Sequence, residues 1–225
     1  MEAGVFESWH STEYAAQWAG EDVAARLLDL PRRLSAALVQ DSGIEVEHVL
    51  DLGAGPGSYL QFMLEQFPEA RGTWVDSSEA MLELAEQELA PLADRITFVV
   101  QDVERLEEAD LEPADVVVSS RALHHFSHDS LEHVYAVIAG LTKPGGFVFD
   151  LDHVGSPDDY WNQPYRRVRA QLIGERKKEL AAHRDPHALP PVEVHLERMT
   201  KAGLVYADVP WRTLMTALMM ARKPA

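Results

Sequence analysis

The stretch His48-Val49-Leu50-Asp51-Leu52-Gly53-Ala54-Gly55-Pro56-Gly57 decides the fold. A short apolar run comes first, and a loop with three glycines follows it. The next residues, 59–67, have a helical pattern that ends at Pro68. Glycine lets a backbone turn tightly and approach a ligand without a Cβ in the way. The first turn of a helix offers free N–H groups to an anionic ligand. The stretch therefore predicts a strand, a ligand-binding loop and a helix.

Further apolar runs alternate with helical stretches along the chain. Strands are predicted at 72–76, 95–100, 114–119 and 147–151, and helices at 59–67, 79–89 and 129–141. This alternation predicts a doubly wound, mostly parallel α/β sheet with helices on both faces. Near the C-terminus, the runs 205–211 and 214–221 are joined by Arg212-Thr213, and two strands joined so closely must be antiparallel. We therefore expect a seven-stranded sheet with an antiparallel C-terminal strand.

The length of 225 residues favours a single domain, 1–225. Residues 1–45 are predicted to form an N-terminal helical cap, in which Pro31 separates two helices. Asp129-Ser130-Leu131-Glu132 has the form of a capping box and predicts a helix that begins there.

Composition and charge narrow the functional classes. The chain has no cysteine, which excludes a disulfide framework and a thiolate nucleophile. No apolar run reaches the roughly 18–20 residues of a membrane span, and the first residues do not resemble a secretory signal. We therefore expect a cytoplasmic protein without a membrane partner. The net charge of −17 would repel a phosphate backbone, so we expect no nucleic-acid partner.

An acidic residue supports a nucleotide site at the glycine loop. Asp76 ends the second predicted strand, where a carboxylate meets ribose hydroxyls in doubly wound folds. A glycine turn that only permits close packing is the structural alternative. A nicotinamide dinucleotide site is the functional rival, but its fingerprint requires glycine where this chain has Ser58.

Five motifs together resemble those of the class I S-adenosylmethionine (SAM)-dependent methyltransferases, which have a Rossmann-like fold. These motifs are 49–57, 75–82, 100–103, 119–125 and 143–146. The resemblance implies that SAM is the methyl donor, that S-adenosylhomocysteine is its product, and that Asp76 binds the ribose. It implies that the cofactor contacts are Asp51, Gly53, Ala54, Gly55, Asp76, Ser77, Met81, Gln101, Asp102, Val103 and Ser119.

The resemblance also bears on the methyl acceptor. Family members that methylate nucleobase amino groups usually carry Asn-Pro-Pro-aromatic after the fourth strand, where this chain has Ser119-Ser120-Arg121-Ala122. The acceptor is therefore expected to be a small molecule. Two alternatives stay open: a regulatory SAM-binding protein, and an enzyme that uses the SAM pocket for another reaction. The oligomeric state is also open, with a homodimer as one possibility.

Methyl transfer from a sulfonium is an in-line displacement, so holding donor and acceptor in line supplies much of the catalysis. A base is needed only when the acceptor must lose a proton. His124 and His125 follow the fourth strand and are the candidates for a base or for a donor to the substrate. A capping or packing role for one of them, and a solvated position for the other, is the alternative.

The end of the fifth strand carries Asp150, Asp152 and His153, which could contribute to a metal site. Hard cations require several oxygen ligands, and a further set is not evident in the sequence. We therefore expect no metal.

The segment 154–190 is unusually long for a connection in this fold, and it combines aromatic with basic residues. We interpret it as a substrate lid, with Tyr160 and Arg166 as acceptor contacts. Tyr14 and Trp18 in the N-terminal cap are further candidates for contact with the substrate. The alternatives are a solvated amphipathic helix for the lid and a core position for the tryptophan.

Overall fold

The computed structural model describes residues 22–173 and 189–225. Its strands are β1 His48–Leu52, β2 Arg71–Asp76, β3 Ile96–Val100, β4 Ala114–Ser120, β5 Thr142–His153, β6 Val205–Thr213 and β7 Thr216–Arg222. Its helices are α1 Asp22–Ser42, α2 Ser58–Gln66, α3 Glu79–Glu88, α4 His128–Gly140, α5 Asp159–Ile173 and α6 Val192–Lys201. Short 3₁₀ turns span Ala90–Arg95, Val103–Glu108 and Leu123–His125.

The seven strands form one sheet in the order β3-β2-β1-β4-β5-β7-β6. Strands β1 to β5 pair in parallel, whereas β7 runs antiparallel to both β5 and β6. The predicted α/β fold with an antiparallel C-terminal strand is confirmed. The strand order reverses between β1 and β4, and in such sheets ligands bind at the carboxyl ends of the strands on either side of this point.

Side chains alternate between the two faces of the sheet, and each face has its own apolar core. Val49, Val118 and Phe149 belong to the core that includes residues of α1, α2 and α3. Leu50 and Val117 belong to the core that includes residues of α4 and α6. The parallel strands are therefore covered on both sides, as a parallel sheet requires.

The predicted break at Pro31 is wrong. Helix α1 is continuous from Asp22 to Ser42 and contains Pro31 in its interior. Proline removes one backbone hydrogen bond, but the helix also buries Ala36 and Val39 in the core beyond it. This packing explains why the helix continues.

Two further boundaries differ from the sequence prediction. Helix α4 is capped by Ser127, whose hydroxyl accepts a hydrogen bond from the Ser130 amide, so it begins before the predicted Asp129. The C-terminal hairpin turns between β6 and β7 at Leu214, which has a φ of +54°, rather than at Arg212-Thr213. Strand β6 is longer than predicted because Arg212 and Thr213 still pair with β7.

The cap and the lid are only partly described. Residues 22–45 of the cap and residues 154–173 and 189–190 of the lid lie in the described part, whereas Tyr14 and Trp18 lie outside it. None of the helices within 22–173 and 189–225 has the length and apolarity that a bilayer crossing would require.

At the end of the sheet opposite the glycine loop, one carboxylate connects three strands. Asp115, near the start of β4, accepts hydrogen bonds on Oδ2 from the amides of Glu47 at 3.0 Å and His48 at 2.9 Å. The ammonium of Lys143 in β5 donates to the same oxygen at 3.0 Å. Asp115 therefore connects the beginnings of three adjacent strands.

We predict that Asp115→Ala lowers the free energy of unfolding by about 2–4 kcal/mol, because two backbone N–H groups lose a charged acceptor. Denaturation in urea measures this change. Lys143→Met is the matched control: it removes only the partly exposed ion pairs of Lys143 with Asp115 and Glu47, and its expected cost is below about 1 kcal/mol. An equal decrease in the free energy of unfolding in the two variants would show that the backbone hydrogen bonds to Asp115 do not stabilise the protein.

Candidate active site

The glycine loop lies against the segment that carries the two candidate histidines. Gly53 has a φ of +62°, and a Cβ placed on it would lie 2.3 Å from the Cβ of Ala122. Gly57, with a φ of +83°, would clash in the same way with the side chain of Leu89 at 2.5 Å. Both positions therefore require glycine for conformation and for space. Because Ala122 comes two residues before His124, the loop and the histidines share one end of the sheet.

Trp74 fixes the loop from below. Its buried indole on β2 donates from Nε1 to the carbonyl of Gly55 at 2.8 Å. The amide of Ala54 donates to the carbonyl of Val75 at 3.0 Å. Trp74 was not predicted as a site residue. The signal in the sequence was an indole N–H two residues before Asp76, which needs an acceptor when buried.

Asp76 lies at the carboxyl end of β2 and contacts the same loop. Its Oδ2 accepts a hydrogen bond from the Gly55 amide at 2.9 Å, and its Oδ1 accepts one from the Ser78 amide at 3.0 Å. Ser77, the predicted cofactor contact next to it, is exposed. The predicted ribose ligand is thus held beside the loop by backbone donors.

Asp51 is a buried carboxylate of β1 on the same face of the sheet as Trp74, with which it pairs across β1 and β2. Its Oδ2 accepts a hydrogen bond from the Leu60 amide at 3.0 Å, but its Oδ1 has no hydrogen-bond partner among the described residues. Burial raises the pKa of Asp51 to about 7, against the opposing effects of the Leu60 amide and of the positive charge of Arg32. Such an oxygen is suited to a cationic ligand group, because an opposite charge would offset the cost of burial.

The residues after β3 lie at the same end of the sheet as the glycine loop. The Gln101 amide donates to the carbonyl of Asp76 at 3.0 Å, which joins this segment to the end of β2. Asp102 uses Oδ1 to cap the following 3₁₀ turn, accepting from the Glu104 amide at 2.9 Å. Both side chains, which the family resemblance implies as cofactor contacts, are partly exposed at this end of the sheet.

Three other predicted cofactor contacts are buried. Ser119 on β4 donates its hydroxyl to the carbonyl of Leu52 at 2.8 Å and so joins the ends of β4 and β1. The side chains of Met81 and Val103 lie in the apolar cores on the two faces of the sheet. Their predicted contacts with the cofactor stay predictions.

His124 forms a dyad with Asp152. The ring Nδ1 lies 2.6 Å from Oδ1 of Asp152, and the backbone amide of His124 donates to Oδ2 at 2.8 Å. Both side chains are buried, at 6% and 0% exposure. Asp152 comes from β5 and His124 from the 3₁₀ turn after β4, so pairing of adjacent parallel strands brings them together. A carboxylate that accepts from Nδ1 leaves Nε2 as the nitrogen able to take up a proton.

Two more histidines pack around this dyad. The rings of His124 and His125 have centroids 4.0 Å apart, and those of His124 and His153 are 5.0 Å apart in an edge-on arrangement. His125 is partly exposed, unlike His124. Within residues 22–173 and 189–225, no cluster of three or more potential ligand side chains could hold a metal ion.

A second buried polar cluster lies next to the dyad and was not predicted. The Tyr135 hydroxyl on α4 lies 2.6 Å from Oδ2 of Asp150 and 2.8 Å from Nδ1 of His195 on α6. All three side chains are buried. The sequence signal for Tyr135 and His195 is weak, because a single polar residue on a helix face does not reveal its partner.

The described part of the lid presents aromatic rings to solvent. Tyr160 is 72% exposed, and its ring lies edge-on to Trp161, with centroids 5.1 Å apart. Trp161 stacks in turn on Tyr165 at 5.5 Å. Arg166, the other predicted acceptor contact on α5, is exposed as well.

We predict that Trp74→Phe lowers the free energy of unfolding by about 1–3 kcal/mol, because the Gly55 carbonyl loses its donor while the apolar ring is largely kept. Urea denaturation monitored by far-UV circular dichroism measures the change. Trp161→Phe, at a side chain that is 43% exposed, is the control and is expected to stay within about 0.5 kcal/mol of the parent. A Trp74→Phe variant as stable as this control would show that the indole bond contributes little.

Comparisons with known proteins agree with this architecture. Residues 49–146 match the family model described as "Methyltransferase domain". The trans-aconitate 2-methyltransferase of Streptomyces avermitilis is 28% identical over 207 residues, which is 90% of this chain and 69% of the relative. The ubiquinone biosynthesis O-methyltransferase of Vibrio cholerae is 31% identical over 140 residues, covering 57% of this chain and 56% of the relative.

A solved structure extends the similarity to the fold. An O-methyltransferase family protein from Burkholderia thailandensis superposes with a TM-score of 0.75 at 20% identity, covering 97% of this chain and 62% of that one. The chain thus spans between about half and two thirds of the length of most of these proteins. The matched domain, the relatives and the shared fold lead to one conclusion: this chain belongs to the class I SAM-dependent methyltransferases.

Proposed function

We propose that this chain transfers a methyl group from SAM to a hydroxyl group of a small-molecule acceptor, with His124 as the base. One observation carries the proposal: the His124–Asp152 dyad lies at the same end of the sheet as the glycine loop, joined to it by the contact between Ala122 and Gly53. The loop would hold the donor, and the dyad supplies a group that can accept a proton next to it.

The described residues fit SAM. The buried Oδ1 of Asp51 would accept the amino group of its methionine part, and Asp76 would bind the ribose hydroxyls. Gln101, Asp102 and Val103 would surround the adenine. Gly53, Ala54 and Gly55 would approach the cofactor through their backbone, with Ser77, Met81 and Ser119 around it. S-adenosylhomocysteine would occupy the same site as the product.

SAM and the protein make different contributions to the reaction. When bound, SAM supplies a methyl group on an activated sulfonium. Asp152 holds the His124 ring through Nδ1, so that Nε2 takes up the proton that a hydroxyl acceptor must lose. The negative charge of Asp152 then stabilises the imidazolium that forms. We propose no metal for this reaction, because the dyad by itself can accept the proton.

The relatives support a small acceptor. Their names place trans-aconitate and a ubiquinone-biosynthesis O-methylation among the reactions of similar enzymes. The net charge of −17 disfavours a nucleic acid. We propose that Tyr160 and Arg166 on α5 contact the acceptor, and that Tyr14 and Trp18 contribute from the N-terminal segment. A purely regulatory SAM-binding role has less support, since these named relatives are enzymes.

The proposal is tested by incubating the protein with isotope-labelled SAM and a metabolite extract. We expect label in a small molecule whose new methyl group is bonded to the oxygen of a former hydroxyl group, identified by mass spectrometry and NMR. Protein denatured before incubation is the control. Labelled nucleic acid, a methyl ester of a carboxylate, or a methyl group on carbon or nitrogen would contradict the proposed acceptor class.

We predict that His124→Gln lowers kcat for the identified acceptor by at least about a hundredfold, because a positioned base contributes that much. The SAM dissociation constant, measured by calorimetry, should stay within a few-fold of the parent value. His125→Gln is the matched variant, and its loss of kcat should be the smaller because the ring that Asp152 holds through Nδ1 is that of His124. A larger loss in His125→Gln would assign the base to that residue.

We predict that SAM affinity decreases by about tenfold between about pH 8 and about pH 6. With a pKa of about 7, the Asp51 carboxyl is mostly ionised at the higher pH and mostly protonated at the lower one. Only the ionised form attracts the amino group of SAM. Calorimetry on Asp51→Asn should show weaker binding that varies less with pH. The same pH dependence in this variant would show that other groups cause it.

A further inference from the structure

Asp150 and Asp152 are two buried carboxyl groups on one strand and on one face of the sheet. They are separated by one residue of β5, and alternate residues of a strand point to the same side. Their exposures are 1% and 0%. Burial raises the pKa of both, and the charge of Asp152 raises that of Asp150 further. Two such neighbours do not both ionise near neutral pH, so one of them holds a proton.

The hydrogen-bond donors around the pair favour ionisation of Asp152. Its oxygens accept from the backbone amides of His124 at 2.8 Å and His153 at 2.6 Å, in addition to the His124 ring. The positive charge of Arg121 also acts on it. A carboxylate with several donors is stabilised as the anion.

Asp150 has a much poorer environment for a charge. The Tyr135 hydroxyl, 2.6 Å from Oδ2, is a donor that lowers the pKa of Asp150, but burial and the charge of Asp152 raise that pKa more. The Oδ1 of Asp150 has no hydrogen-bond partner among the described residues. A buried anion with an oxygen that lacks a donor is costly, whereas the carbonyl oxygen of a carboxylic acid tolerates this better. The difference between the two sites assigns the proton to Asp150.

We infer that Asp150 is a neutral carboxylic acid at neutral pH, held by Tyr135 and His195, so that Asp152 is the anion of the pair. The Tyr135 hydroxyl would donate to an Asp150 anion. In the neutral state that we infer, the proton on Oδ2 of Asp150 is donated to the Tyr135 oxygen instead. The Tyr135 hydroxyl then donates to Nδ1 of His195 at 2.8 Å, which accepts as a neutral ring. Tyr135, Asp150 and His195 are positioning residues that act on the reaction through Asp152.

This inference rests on the proposed function, because it explains how His124 stays available as a base. A second anion close to Asp152 would raise the pKa of His124 and keep its ring protonated near neutral pH. A protonated ring cannot accept a proton from the acceptor. The charged and titratable groups around the pair are Tyr59 on α2, Arg121 and His124 after β4, Tyr135 on α4, His153 on β5, and His195 and Arg198 on α6.

The proton can be observed directly by infrared spectroscopy. The measurement uses an Asp51→Asn background, because the pKa of Asp51 is also raised and its protonated form would give the same band. In this background we expect protein labelled with ¹³C at its aspartate carboxyl groups to show the C=O stretch of a protonated carboxylic acid near neutral pH. This band should be missing in Asp150→Asn. Absence of the band in the parent protein, or an equal band in Asp150→Asn, would overturn the inference.

Two further variants separate this role from simple packing. In Asp152→Asn the neighbouring charge is gone, so the band should disappear at a pH lower by at least about one unit. In Tyr135→Phe the carboxylic acid loses its hydrogen-bond partner, so the band should move to higher frequency. An unchanged titration in the first variant or an unchanged frequency in the second would contradict the inference. If Asp150→Asn does not fold, the band frequency in Tyr135→Phe still tests whether Asp150 is protonated.

NMR titration of His124 gives an independent readout. We expect the pKa of His124 in Asp150→Asn to equal that of the parent, because a neutral group replaces a neutral group. A decrease of about one unit or more would show that Asp150 carries a charge, and would overturn the inference. None of these measurements requires turnover, so failure to detect methyl transfer would count against the proposed function alone.

Discussion

Burial of carboxyl groups at one end of a parallel sheet is the constraint on which this site depends. A buried carboxyl group is not solvated by water, so it needs hydrogen-bond donors, a nearby cation or a bound proton. Asp152 finds donors, Asp51 retains an oxygen suited to a cation, and Asp150 is inferred to keep its proton. The three solutions differ because the strands and helices around each group offer different partners.

The fold brings these groups together without any special local geometry. All parallel strands end at the same edge, so residues far apart in sequence, such as Asp51, Asp76 and Asp152, reach one region. The opposite edge carries the hydrogen bonds of Asp115, which join strands and face away from the loop. Cohesion of the sheet and ligand binding are therefore served by opposite ends of the same strands.

Much of this arrangement could be predicted from the sequence. The glycine loop, Asp76 and the alternating apolar runs have local signals, and they led to the correct sheet and family. The interior of α1 could not be predicted, because the break expected at Pro31 is overcome by tertiary packing of Ala36 and Val39. The cap of α4 was misplaced because Ser127 competes with Asp129 as a capping residue. The partnership of His124 with Asp152, and of Tyr135 with His195, depends on strand and helix packing that no local pattern encodes.

The contact between Gly53 and Ala122 has an evolutionary consequence. A side chain larger than alanine at position 122 would clash with the glycine loop. Any side chain at position 53 would clash with Ala122. Substitutions at the two sites are therefore expected to be rare and, where they occur, correlated. If the segment after this junction and helix α5 contact the acceptor, as proposed, changes in acceptor preference are expected from His125 onward and in α5 rather than at the junction itself.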